Sequence, residues 1–473
     1  MVYGKPVIVD RGVSAEHGTV RDVSIRENIR PMMRFVRSER LLLLVLLVYG
    51  LYVNSGLFSR LVFYPGSMFN DFTIYWTTGR TVLEGGNPYA FDRLPEFPRP
   101  AGLAIFIYPP ITLPIMALFA SLPQALATGL YALAGILMVA RLIWLWRDIF
   151  GFRDQTVLFA FFAPFALNST ILTAWSSGNI TIFEQVILWT GIAFLLRGRV
   201  MTFLALVYFA GLFKFVFLGF AGLPLLLFPL RRVVRHVPVM LLVLASPAIN
   251  LWLVGQVEPQ LVTQFYDGFP ALMVSSSFIR FDMTHNVSDQ SLLTMIYFLR
   301  DALVNRYKLA LNDGAGLEIY VGIVLAVWAG LVYFVVRLGR GVRDERDLPV
   351  DPTRVRLILC LFCLAYLWCS PVLRFYQFIM GVPCVFYLIR HFLADELYRR
   401  KVAAISPLVL LVLLFNLQTD HYFFLTGLQA FSSFSNVMLI LICLAYAAHA
   451  LLRDIARRAV TARENRSALD HAG

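Results

Sequence analysis

The sequence predicts an all-α polytopic membrane protein, and three observations carry that prediction. Of 473 residues, 59% are hydrophobic and 15% charged, with a mean hydropathy of +0.71; a soluble domain carries about a quarter charged residues. The charges are segregated, so that runs such as LLLLVLLVYGLYV (41–53) and LVLLVLLFNL (408–417) contain none. The runs are also continuous rather than alternating. That excludes the pattern of an outer-membrane barrel and fits helices, which satisfy their own backbone polar groups where water is absent.

The formal net charge of +12 does not point to nucleic acid, because the arginines flank apolar runs as topology anchors. All five cysteines lie in apolar segments. Cys360 and Cys363 form a CxxC with no second pair nearby, so neither a disulfide framework nor a zinc site is expected.

Taken in order, residues 1–40 have no apolar core of signal-peptide type, and their basic excess places them in the cytoplasm. A first span follows at about 41–58, and then an outer loop over 59–123. Within that loop FNDFTIYWTTGRTVLEGGNPY (69–89) reads as a helix lying along the membrane, with Phe72, Tyr75, Trp76, Val82 and Leu83 on its apolar side. Asn70 or Asp71 is a natural N-cap, and EGGNPY ends the segment in a turn. The stretch IFIYPPITLPIMALFASLP (105–123) is harder to place. Prolines at 109, 110 and 114 oppose an uninterrupted span. Counting it as a span would also put most of the Lys and Arg residues outside, against the positive-inside rule. It is expected to be an interfacial or re-entrant helix.

Further spans are expected at about 124–146, 156–174, 180–196, 200–213, 216–230, 237–254, 318–336, 355–370, 375–390, 403–417 and 434–452. That makes about twelve in one transmembrane domain (41–452), with a second outer loop over 255–317 and a cytoplasmic tail over 453–473. Residues 200–230 are too few for two crossings of about 20 residues each. This pair is expected to turn inside the bilayer, with Lys214 near the apex. A lysine there is costly unless it meets an anion or water; snorkelling to an interface or pairing with a structural carboxylate also satisfies it.

Several motifs then fall in a telling order. DFTIYW (71–76), the turn around Gly86, Pro88 and Tyr89, and Tyr108-Pro109-Pro110 followed by Leu122-Pro123 occupy the first outer loop. SSGNIT (176–181), RGR (197–199) and Lys214 come next, then DQSLLTMIYFLR (289–300) and SPVLRFYQF (370–378). Together they resemble the GT-C glycosyltransferases, most closely glycosyltransferase family 87, which uses polyprenol-phosphate-linked mannose or arabinose. The resemblance covers most of residues 60–390. It departs from the family at Asn179, where Gln is usual, at Asp289-Gln290-Ser291 in place of Asn-Gln-Ser, and at Arg374 and Tyr376, where an aromatic and then histidine are common. These departures bear on the sugar and the acceptor.

The resemblance implies a polyprenyl-phosphate sugar donor arriving from the membrane and a lipid or glycan acceptor on the extracytoplasmic side of a bacterial inner membrane. Asp71 then corresponds to the base that takes the acceptor hydroxyl's proton. Direct displacement inverts the anomeric centre through an oxocarbenium-like transition state. The departing phosphate needs donors or cations, for which Arg374, Lys214, Arg280 and His285 are the candidates. Arg374 can hold phosphate through a two-pronged fork or sit among lipid headgroups; Arg280 and His285 can equally be solvated loop residues. Asn70, Tyr75, Tyr108, Asn179, Gln290 and Tyr376 are expected around the sugar and acceptor, although an interfacial tyrosine such as Tyr108 is also an ordinary membrane anchor. Glu184 is expected to support the site by pairing with Lys214 or Arg374. No metal motif appears and no cofactor is required, although a loosely bound divalent cation is compatible.

Two rival functions share the same gross architecture. An O-antigen ligase or polymerase would gather its arginines and histidine in one large late outer loop. A flippase or transporter for lipid-linked sugars would line a path through the bilayer with charge, often within an internal repeat, and no repeat is visible here.

Overall fold

The computed structural model describes residues 48, 51–52, 55–63, 68–89, 106, 108–274, 292–307, 315–342, 351–370, 375–394 and 435–470. Every regular element among them is helical. The helices are α1 (Ser55–Phe63), α2 (Asn70–Leu83), α3 (Leu113–Ala120), α4 (Gln124–Phe150), α5 (Thr156–Ser177), α6 (Thr181–Leu196), α7 (Val200–Phe213), α8 (Val237–Val257), α9 (Pro259–Val274), α10 (Leu292–Tyr307), α11 (Ala315–Val342), α12 (Pro352–Trp368), α13 (Gly381–Ala394) and α14 (Ser435–Asp470). Short 3-10 and helical turns join several of them.

This is an α-helical membrane protein. Among the described residues four helices are long and apolar enough to cross a bilayer: Gln124–Phe150, Arg231–Val257, Gly316–Tyr333 and Val437–Asp454. Helix α4 shows why they belong in lipid. Leu126, Leu130, Leu133 and Leu137 form a stripe that is about half or more exposed, while Ala127, Tyr131, Leu142 and Trp146 are buried on the other side. An exposed leucine stripe of this kind is costly in water and neutral in hydrocarbon.

The remaining expected spans are partitioned differently. Residues 153–177 form a pair bent by 67° between Leu167 and Ser169, where both of those residues adopt positive φ and Pro164 has already removed a helical N–H. Helix α6 has 16 residues and α7 has 14, rising about 24 and 21 Å, short of a hydrocarbon core about 30 Å thick. The spans expected at 180–196, 200–213 and 216–230 are therefore short apolar helices. The span expected at 403–417, and most of that at 41–58, lie outside the described residues.

The chain breaks at Lys214, which is extended (φ −131°, ψ 108°). It then turns back as a 3-10 helix, Phe215–Gly222. A Cβ on Gly211 would lie 2.2 Å from Leu218, so the returning limb packs directly on α7. The stretch around 105–123 resolves into a 3-10 turn, Pro110–Thr112, and the eight-residue α3. At about 12 Å α3 cannot span. It packs along α2, with Gly79 so close that a Cβ there would sit 2.1 Å from the Met116 carbonyl oxygen.

Helix α12 runs through the core against α13 and α14, and Leu357–Ala365 are buried in sequence. All five cysteines are buried and free. At the end of the bundle away from Lys214, arginines finish the helices. Arg356 Nε donates to the Ile149 carbonyl at 3.1 Å, and Arg390 donates to the Gly151 carbonyl at 2.9 Å and to Asp154 at 2.7 Å. Cations there meet the carbonyls left over at the C-terminus of α4.

Candidate active site

Helix α2 starts without a cap. Its N-cap residue is Phe69, in the left-handed region (φ 61°), and no side chain caps the first turn. The expectation that Asn70 or Asp71 caps this helix is therefore corrected, because the segment is held from outside instead. Phe69 N donates to the Ser176 carbonyl at 2.8 Å, and the Phe69 ring packs edge-on to Trp175. A Cβ at Gly178 (φ +73°) would lie 2.7 Å from the Phe72 Cβ, so only glycine lets the two strands of chain approach this closely. The first turn of α2 is thereby docked on the junction between α5 and α6.

That docking turns Asp71 toward Asn179 rather than toward its own backbone. Asn179 Nδ2 donates to Asp71 Oδ2 at 2.7 Å. The other end of the amide, Oδ1, accepts from Thr181 N at 3.0 Å and from Thr181 Oγ1 at 2.6 Å. The Thr181 hydroxyl in turn accepts from Lys214 Nζ at 2.5 Å, and Lys214 Nζ also donates to Glu184 Oε2 at 2.8 Å. A continuous line of charged and polar groups thus runs from a half-buried carboxylate to a buried ion pair. Asn179, Thr181 and Glu184 are all essentially fully buried. Buried ions are tolerable only when paired, and here Lys214 pairs with Glu184 through Oε2 at the chain break, while Glu184 Oε1 is buried without a hydrogen-bond partner.

Beside Lys214 lies a small recess lined by Thr181, Gln185, Lys214, Tyr366, Ser370 and Gln377 among apolar neighbours. It forms where three chain breaks meet: the start of α6, the break after α7 and the end of α12. Helix ends carry orphan backbone groups, and gathering three of them at one level brings several polar side chains to a recess whose wall is otherwise mainly apolar. Asp71 is not on its wall; Asn179 and Thr181 connect the two.

Tyr75 and Tyr108 sit elsewhere. Their hydroxyls lie 3.0 Å apart inside an aromatic cluster, and Tyr89 donates to the Tyr108 carbonyl at 3.0 Å. Burial, reinforced by the Tyr108 hydroxyl and the Asp71 carboxylate, pushes the Tyr75 phenol well above its ordinary value, so it remains protonated. Neither tyrosine lines the cavity beside Lys214. Trp76 Nε1 donates to the Leu122 carbonyl at 3.0 Å, which ties α2 to the turn after α3.

Of the residues singled out in the sequence, the structure brings Asp71, Asn179, Lys214 and Glu184 together, and leaves Asn70 exposed one residue away. Arg280, His285, Gln290 and Arg374 lie outside the described residues, as does the side chain of Tyr376. Thr181, Ser370 and Gln377 were not singled out. Thr181 closes the SSGNIT motif, and a hydroxyl two residues past a buried asparagine was the available signal. No family model matches the chain, and no curated protein or solved structure does so either.

Proposed function

We propose that the protein is an inverting glycosyltransferase of the GT-C type, moving a sugar, mannose or arabinose, from a polyprenyl phosphate to a lipid or glycan acceptor at the extracytoplasmic face of a bacterial inner membrane. In this reading about twelve spans carry the fold, both termini are cytoplasmic, and the end bearing Asp71 and the cavity faces outward. The observation that carries it is the hydrogen-bonded line from Asp71 to Lys214, which ends beside a small recess in an otherwise apolar bundle. A carboxylate and a cation are the two groups this transfer needs at its two ends.

The acceptor oxygen attacks the anomeric carbon as its proton passes to an Asp71 oxygen. The new bond is C–O to the acceptor, and the bond that breaks is C–O to phosphate. Both electrons of that bond leave with the polyprenyl monophosphate, whose charge Lys214 and the hydroxyl and amide groups of the cavity wall receive. The alternative of a lipid-linked sugar transporter makes no use of a base on α2.

The test is transfer of label from polyprenyl-phosphate sugars, supplied one at a time, to membranes of a deletion strain complemented with wild type, Asp71→Asn or Asp71→Ala. Both variants are expected to lose at least about a hundredfold in transfer while accumulating normally in the membrane. Full activity in either removes the base and with it this reading.

A further inference from the structure

We infer that Asn179 and Thr181 are positioning residues that couple the charge state of the Lys214 cavity to the orientation and basicity of Asp71. The consequence for turnover rests on the function proposed above; the coupling itself does not.

Three features support it. Asn179 cannot flip. Its Oδ1 is held by two donors from Thr181 and its Nδ2 by Asp71, so reversing the amide would lose all three hydrogen bonds and set like against like. Thr181 has a single hydroxyl proton. With the Lys214 ammonium on its oxygen, that proton is directed to Asn179. A competing acceptor is close by, because Lys214 Nζ bridges the Thr181 hydroxyl and the Glu184 carboxylate, whose Oε1 is buried without a hydrogen-bond partner. Lys214 presently occupies Glu184.

The sign of the coupling follows. With the cavity empty, Lys214 polarises the hydroxyl, the hydroxyl polarises the amide, and the amide stabilises the carboxylate form of Asp71. Asp71 is then well oriented and a weaker base. An anion entering the cavity neutralises or draws away Lys214. Glu184 then competes for the Thr181 hydroxyl, the amide is less polarised, and Asp71 gains basicity. The base strengthens only when the anionic partner is in place, which disfavours unproductive proton uptake by an unloaded site.

Other groups face Asp71 and must be counted. Tyr75 on its own helix and Tyr131 on α4 lie within electrostatic range of Asp71, Glu184 on α6 lies within range of Tyr131, and Tyr108 bonds Tyr75. Helix α3 brings no titratable group, and Arg80 and Glu84, at the far end of α2, pair with each other. None of the tyrosines is altered by changing Thr181.

The experiment compares Thr181→Val, which keeps the shape and loses the hydroxyl, with Thr181→Ser, which keeps the hydroxyl. In purified protein without substrate, the Asp71 carboxyl is titrated by infrared difference spectroscopy, isolated by subtracting the Asp71→Asn spectrum. Thr181→Val is expected to raise the midpoint by about one pH unit, while Thr181→Ser stays at the wild-type value. In the transfer assay Thr181→Val is expected to lower kcat about tenfold and move the acidic limb of the pH profile upward, with little change in the donor KM. An unmoved infrared midpoint overturns the coupling. A raised donor KM with an unmoved limb also overturns it, since Thr181 would then serve only as cavity wall. If the wild type transfers no sugar yet the midpoint shifts as stated, the coupling stands and the proposed reaction falls.

Discussion

At the scale of single residues, Lys214 and Glu184 hold the most free energy in the smallest space. Glu184 is fully buried and the Lys214 side chain, on the wall of the recess, is 14% exposed, so it is the carboxylate that water cannot rescue when its partner goes. Lys214→Met should leave an orphaned carboxylate and cost about 3–5 kcal/mol, whereas replacing both with Met and Gln should be close to neutral. Thermal denaturation of the purified protein in detergent checks this. The double variant must melt well above Lys214→Met, and equal melting temperatures would mean that the pair does not carry the burden assigned to it. Both lysine-free proteins should lose transfer, which separates stability from function. Lys214 was legible in the sequence because a lysine deep in an apolar run is rare and costly. Asp71 was legible because carboxylates are scarce in that loop. Thr181 was not, because a threonine near a helix start looks ordinary until its neighbours are known.

At the scale of elements, the position of Asp71 depends on how α2 is held. One side of α2 is pinned through Phe69 and Gly178 to the α5–α6 junction, and the other lies on α3 at Gly79. A methyl group at Gly79 would meet the Met116 backbone at 2.1 Å, and backbone cannot move aside as a side-chain tip can. Gly79→Ala is therefore expected to separate α2 from α3, costing about 1–3 kcal/mol, and to lower transfer by displacing Asp71 from Asn179. Gly129→Ala is the control: it is also helical and exposed, with nothing within 4 Å of the added methyl, so the helix preference for alanine should make it neutral or slightly stabilising. Melting temperature and activity of the two variants decide the matter. A wild-type Gly79→Ala would show that the contact is not what fixes α2. The glycine is visible in the sequence, but its role is not, because the group it approaches lies 37 residues away in the chain.

At the scale of the whole molecule, the apolar runs made the all-helical class and the membrane setting legible, and the prolines of 105–123 foretold a helix too short to span. The lengths of individual spans were less legible. Hydropathy reports that a segment avoids water, and 14 to 17 apolar residues buried against other helices satisfy that as well as 20 in lipid. Orientation is where the sequence commits furthest beyond the fold. The arginine-rich end, with Arg356 and Arg390 on the carbonyls closing α4, is assigned to the cytoplasm by the positive-inside rule, and Asp71 to the outside. Single cysteines test this directly, because the five native thiols are buried and contribute little background. Asn70→Cys sits at an exposed position beside the site, and Arg153→Cys replaces a side chain that is 80% exposed at the opposite end. A membrane-impermeant maleimide applied to intact cells should label the first and not the second, and permeabilisation should make both reactive. The reverse pattern would place the Asp71 end in the cytoplasm, where no acceptor outside the membrane could reach it.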